Sequence, residues 1–100
     1  MAKMVVSLSV VPLGTATPSL SKYVARVTEV IKTSGFRYRT GAGFTDIELD
    51  SYQQLANLLE RIEKTLTDMG VQRISITIKI DRRLDKELHI EEKIAKAEGL

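Results

Sequence analysis

One hundred residues, 43% of them apolar and 28% charged, suit one domain over 1–100 with a real core, far from the disordered regime of low hydropathy and high net charge. Fifteen basic against thirteen acidic residues, scattered to a net charge of +2, exclude the clustered basic face of a nucleic-acid binder. The lack of cysteine excludes disulfides, thiolate metal sites and cysteine nucleophiles and fits a cytoplasmic home, while no run approaches the roughly 20 apolar residues of a membrane span.

From Met4 to Val11, the residues Val6, Leu8 and Val10 alternate with Val5, Ser7, Ser9 and Val11, the period of a strand with one fully apolar face. Ser7, Ser9 and Pro12 interrupt what could pass for a short signal peptide after Lys3, and Pro12-Leu13-Gly14 is expected to end the strand. Ser19 or Ser21 is then the N-cap candidate of a first helix with the stripe Leu20, Tyr23, Val24, Val27, Val30 and Ile31, and Gly35 stands where a C-terminal glycine belongs.

Phe36 to Thr40 and Phe44 to Asp50 flank Gly41-Ala42-Gly43 and read as a hairpin, with glycine expected to supply the positive φ of a tight reversal. In its second arm Asp46, Glu48 and Asp50 alternate with Ile47 and Leu49, so carboxylates and apolar groups take opposite faces. Ser51 and Gln54 form a capping box for a second helix with the stripe Tyr52, Leu55, Leu59, Ile62, Leu66 and Met69, stopped by Gly70. Val71 to Asp81 is a strand in which Ile74, Ile76, Ile78 and Ile80 alternate with polar residues. A charged bend over 82–86 leads to a short third helix from Leu88 to Ala97, whose stripe of Ile90, Ile94 and Ala97 would be marginal alone.

The order β, α, β, β, α, β with a trailing helix predicts an α+β, ferredoxin-like βαββαβ sandwich: an antiparallel four-stranded sheet of order 4-1-3-2, two helices on one face and a short C-terminal helix. The other face then carries Ser7, Ser9, Asp46, Glu48, Ser75, Thr77 and Lys79, with Val5, Val11 and Phe44 beside them. Such a face is either simply solvated or covered by a subunit or a polar ligand. The RNA-recognition reading of the same topology fails, because only Phe44 is aromatic where stacking residues would sit and Asp46 and Glu48 follow it. His89 is the only histidine, expected to cap or flank the last helix. Gly41-Ala42-Gly43 precedes a strand and is no phosphate loop. No nucleophile with a base and no metal cluster can be assembled, so no catalytic residue, metal or cofactor is expected.

Several stretches together resemble the thiamine-binding protein family with a ferredoxin-like fold, which includes YkoF-like proteins and was formerly a domain of unknown function. They are Val10-Val11-Pro12-Leu13-Gly14, Ser21-Lys22-Tyr23-Val24, Gly35-Phe36-Arg37-Tyr38, Thr45-Asp46-Ile47-Glu48, Ile78-Lys79-Ile80-Asp81-Arg82-Arg83 and Glu92-Lys93-Ile94. The family's proline, methionine and glycine in the hairpin are replaced here by Ala42-Gly43-Phe44, and Leu49 stands where glycine is common. The resemblance implies a non-enzymatic, cytoplasmic protein that binds thiamine or a related pyrimidine and assembles into a homotetramer, a dimer of dimers. Ser9, Thr45, Glu48 and Lys79 are the ligand-binding candidates, since a carboxylate accepts from an aminopyrimidine and hydroxyls serve ring nitrogens. The competing expectation is a structural or regulatory interaction domain with no small-molecule ligand.

Overall fold

The computed structural model describes residues 2–99. Its elements are β1 (Met4–Leu13), α1 (Ser21–Thr33), β2 (Tyr38–Thr40), β3 (Thr45–Leu49), α2 (Tyr52–Asp68), β4 (Arg73–Arg82) and α3 (Ile90–Ala97). Every pairing is antiparallel and the strands lie in the order β2-β3-β1-β4, the expected 4-1-3-2 counted from the other edge. The architecture is the α+β, ferredoxin-like one.

Period two explains the main core. Met4, Val6 and Leu8 of β1 and Ile47 and Leu49 of β3 all face the helices and are buried. Against them pack Tyr23, Val27 and Ile31 of α1 and Leu55, Leu58, Ile62 and Leu66 of α2, each burial contributing about 1.5 to 3 kcal/mol for a large aliphatic side chain. Leu58, rather than the expected Leu59, completes the buried stripe of α2; Leu59 packs at its margin.

The helix ends follow the caps only in part. Ser51 accepts the N–H of Gln54 at 3.2 Å, while the Gln54 side chain accepts the N–H of Asp50 at 2.8 Å instead of returning to Ser51. At the other end Gly70 takes φ +88°, and the N–H groups of Gly70 and Val71 reach the carbonyls of Thr67 and Leu66, a Schellman closure. α1 corrects the expectation of a serine cap: Leu20 stands at the N-cap without a side-chain bond, and the hydroxyls of Ser19 and Ser21 lie 3.3 Å from each other.

The hairpin also closes differently from expectation. Four residues, 41–44, connect β2 to β3, and neither Gly41 nor Gly43 has positive φ. A loop of that length turns without the left-handed pair that a two-residue connection demands. Glycine is needed at 41 for another reason: its N–H donates to the Phe44 carbonyl at 2.9 Å, and a Cβ there would meet that oxygen at 2.7 Å.

β1 does not stop at Pro12. The N–H of Glu48 donates to Arg37 and that of Gly41 to Phe44, so even-numbered members of β3 turn toward β2. Odd-numbered members Thr45, Ile47 and Leu49 therefore exchange bonds with Leu8, Val6 and Met4. The even residues of β1 point at β3 and the odd ones at β4, in agreement with the bond from Arg83 N–H to the Lys3 carbonyl. Pro12 is even, and its missing N–H falls where β3 has already ended, so the ladder to β4 loses nothing.

α3 settles on the sheet face away from α1 and α2, where Leu88, Ile90 and Ile94 pack on Val5 in a second, smaller apolar cluster. α1 packs on β1 and β2, and α2 on β3. The edge strand β4 is left uncovered on the helix side, with Ile76, Ile78 and Ile80 36–41% exposed. Among the described residues no helix is long and apolar enough to cross a membrane.

Candidate functional site

β3 ends at Thr45 opposite Leu8, while β1 runs five residues further to Leu13. Past that stop, the hairpin loop 41–44 and the inner side of α1 close over β1 around a groove of about 180 Å³. Ser9, Val10 and Val11 form its β1 side, Leu20, Val24 and Val27 its α1 side, and Thr40, Phe44 and Thr45 its hairpin side. Thr40 and Thr45 are direct cross-strand partners on the helix side of the sheet. Val24 and Phe44 are 48% and 43% exposed, large apolar side chains half out of water beside a concavity that also offers hydroxyls, the usual make-up of a small-molecule site.

The opposite face is organised in rows. One row across the four strands is Arg39, Asp46, Ser7 and Lys79, and Ser7 donates to an Asp46 oxygen at 2.6 Å. The next row holds Glu48, Val5 and Asp81. Glu48 is only 8% exposed, and its two oxygens are engaged within the chain. One accepts the N–H of Ile90 at 3.0 Å and the other faces Nδ1 of His89 at 3.1 Å, with Nε of Arg37 3.8 Å away. A carboxylate at the first turn of a helix meets unpaired N–H groups and the positive end of the helix dipole. Glu48 thus seats α3, and two ion pairs flank the seat: Arg37 with Glu91, and Lys93 with Asp81. His89 occupies the N-cap position of α3 with an extended backbone, and its Nε2 meets Glu87 at 3.2 Å.

The charges around α3 define a pH window. Hydrogen bonds to Glu48 and then Glu87 hold His89 above its ordinary value. A raised folded pKa means that this contribution is complete below about 6.5 and is lost as pH rises through the raised value. Arg37 lowers the Glu91 carboxyl and Lys93 the Asp81 carboxyl, so those contributions are present above about pH 4 and lost as pH falls through the lowered values. Protection of the α3 amides, their exchange rate relative to that of an unstructured chain at the same pH, is therefore expected to be highest between these limits when followed from pH 4 to 8.5, and to fall on either side. Constant protection across pH 6 to 8.5 would show that His89 plays no part in holding the helix.

The structure brings together two of the four residues expected to bind a ligand. Thr45 lines the groove from the helix side of the sheet; Ser9 lines it from β1, but its odd position sets its side chain on the far face with Ser7, the face that also holds Glu48 under α3 and Lys79 in the row beside Ser7. Thr45 stands opposite Leu8 and shares its face, the face to which the odd positions of β3 belong by period two. Val10, Val24 and Phe44 also line the groove and were not among the residues that residue types alone singled out as ligand contacts. The replaced segment Ala42-Gly43-Phe44 turns out to be the groove's hairpin wall.

The family model described as "Thiamine-binding protein" matches residues 6–98. A UPF0045 protein of Methanocaldococcus jannaschii is 38% identical over 94 residues, covering 94% of this chain and 91% of the relative. One from Methanothermobacter thermautotrophicus is 32% identical over 87 residues, covering 87% and 88%. The solved structure of the M. jannaschii protein superposes with a TM-score of 0.82, covering 99% of this chain and 98% of that one at 37% identity. A Thermotoga maritima protein, described as a candidate for thiamine biosynthesis or salvage, superposes with a TM-score of 0.80 at 25% identity, covering 95% and 98%. With the match extending over nearly its whole length and over the strands and hairpin that build the groove, the chain belongs to the thiamine-binding protein family.

Proposed function

We propose that the protein binds thiamine or a related pyrimidine without transforming it, and that the ligand sits in the groove between β1, α1 and the hairpin. The observation that carries this reading is the juxtaposition, in a member of this family, of Thr40 and Thr45 with the half-exposed Val24 and Phe44 around one concavity. The groove falls below the roughly 300 Å³ at which pockets for drug-sized ligands begin. A single ring with a short substituent suits it, so the pyrimidine half of thiamine is the part taken inside. Thr45 is the hydroxyl contact kept from the original candidates; Ser9 lines the groove but turns its hydroxyl to the far face, where Lys79 also stays, and the carboxylate of Glu48 serves α3.

Calorimetric titration with thiamine, its phosphates and hydroxymethylpyrimidine tests the reading, and heat is expected with at least the last. Thr45→Val, which removes one hydroxyl at nearly constant shape, should weaken binding about fivefold to tenfold. No heat with any of these ligands would leave an interaction domain as the better account.

The binding unit is proposed to be a homotetramer. Support comes from the stripe of Ile76, Ile78 and Ile80 on an edge strand that neither long helix covers, since bare apolar edges are ordinarily blunted or paired. Because α3 already covers Val5 on the other face, the β4 edge is the better candidate for the first contact between copies. A mass of one or two chains by light scattering would reject the tetramer.

A further inference from the structure

We infer that the main chain of Val10 is the recognition element of the groove, presenting one N–H donor and one C=O acceptor to the edge of a planar heterocycle that carries a ring acceptor nitrogen beside an exocyclic amino group. This rests on the reading that the groove takes a pyrimidine, and it specifies which pyrimidines. Even-numbered residues of β1 direct their backbone polar groups toward β3, and Met4, Val6 and Leu8 find Leu49, Ile47 and Thr45 there. Val10 is the next even residue. The same register would set residue 43 against it, but β3 begins only at Thr45, and 43 lies in the hairpin loop. Val10 lines the groove and is partly buried, and backbone groups withdrawn from water are nearly always paired.

The neighbouring positions say what kind of partner fits. A peptide strand added to this edge would need donors at successive even residues, but the next is Pro12, which has none. One N–H and one C=O on a single residue match a compact ligand edge instead. In a 4-aminopyrimidine a ring nitrogen accepts and the adjacent amino group donates, so two bonds of about 2.9 Å form side by side. The ring would then lie among Leu20, Val24 and Phe44, with the hydroxyls of Thr40 and Thr45 available to its substituents.

The test uses the ¹⁵N-labelled full chain, titrated with 4-amino-5-hydroxymethyl-2-methylpyrimidine and with its 4-methoxy analogue, which lacks the donor. The amino compound is expected to move the Val10 amide proton downfield and slow its exchange. The methoxy analogue is expected to bind about tenfold more weakly, because the Val10 carbonyl is left without a donor beneath the bound ring. Binding of the amino compound with the Val10 amide unmoved, or equal affinity for the two compounds, would overturn the assignment to Val10 and leave the pyrimidine reading standing. Failure of both to bind would overturn the two together.

Discussion

Replacing Ile47 with alanine is expected to destabilise the fold by about 2 to 5 kcal/mol, a large part of the roughly 5 to 15 kcal/mol that holds a domain of this size. Ile47 is fully buried at the centre of β3, opposite Val6 and against the helix layer. Its truncation removes apolar burial and leaves a cavity between the sheet and the helix layer. The melting midpoint should fall by on the order of 10 °C or more, since about 1 kcal/mol moves it 4 to 8 °C in a chain of this length. Ile78→Ala is the internal control: its side chain is 36% exposed on the uncovered edge, and the cost should stay near or below about 1 kcal/mol in the monomer. Equal effects of the two substitutions in thermal unfolding would mean that the helix layer does not cover β3 preferentially over β4.

The two changes also mark how far local sequence carries. Alternation in β1 and β3, the Ser51 cap and the C-terminal glycines Gly35 and Gly70 are local signals, and each yields an element in its expected place. Strand order followed from connectivity and handedness, again without knowledge of any particular contact. What local patterns do not contain is how far each helix reaches across the sheet. Ile76, Ile78 and Ile80 share the apolar phase of Val6 and Leu8, yet α1 and α2 lie over β1, β2 and β3 and leave β4 bare. Nor do they show where two strands of unequal length part company. The groove exists because β3 has 5 residues and β1 has 10, and that difference is visible only in the register. Pro12 hinted at it: proline in an inner strand implies a side on which no donor is wanted. Glu48 was legible as a carboxylate needing a partner, but that partner lies 42 residues away at the start of α3, beyond any spacing rule.

Glu48→Ala is expected to release α3 and to cost about 2 to 4 kcal/mol, because it leaves the Ile90 N–H and the His89 ring without their acceptor at a nearly closed position. The apolar contact of Ile90 and Ile94 with Val5 remains, but a helix of 8 residues is too short to persist on that alone. Amide exchange should therefore quicken across 90–97 while Val6 and Ile47 stay protected, since those residues pack on the other side of the sheet. Glu48→Gln separates charge from geometry. Its oxygen can still accept from Ile90, and its amide can donate to a neutral His89 at Nδ1, so the cost should be only about 1 kcal/mol. The carboxylate that does most to raise the His89 pKa is gone, however, and the loosening of α3 above about pH 6.5 should go with it. If Glu48→Ala leaves the exchange of 90–97 unchanged, α3 is held by its apolar contacts and the flanking ion pairs alone. If Glu48→Gln keeps the alkaline loosening, the charge acting on His89 comes from Glu87, its second partner at 3.2 Å.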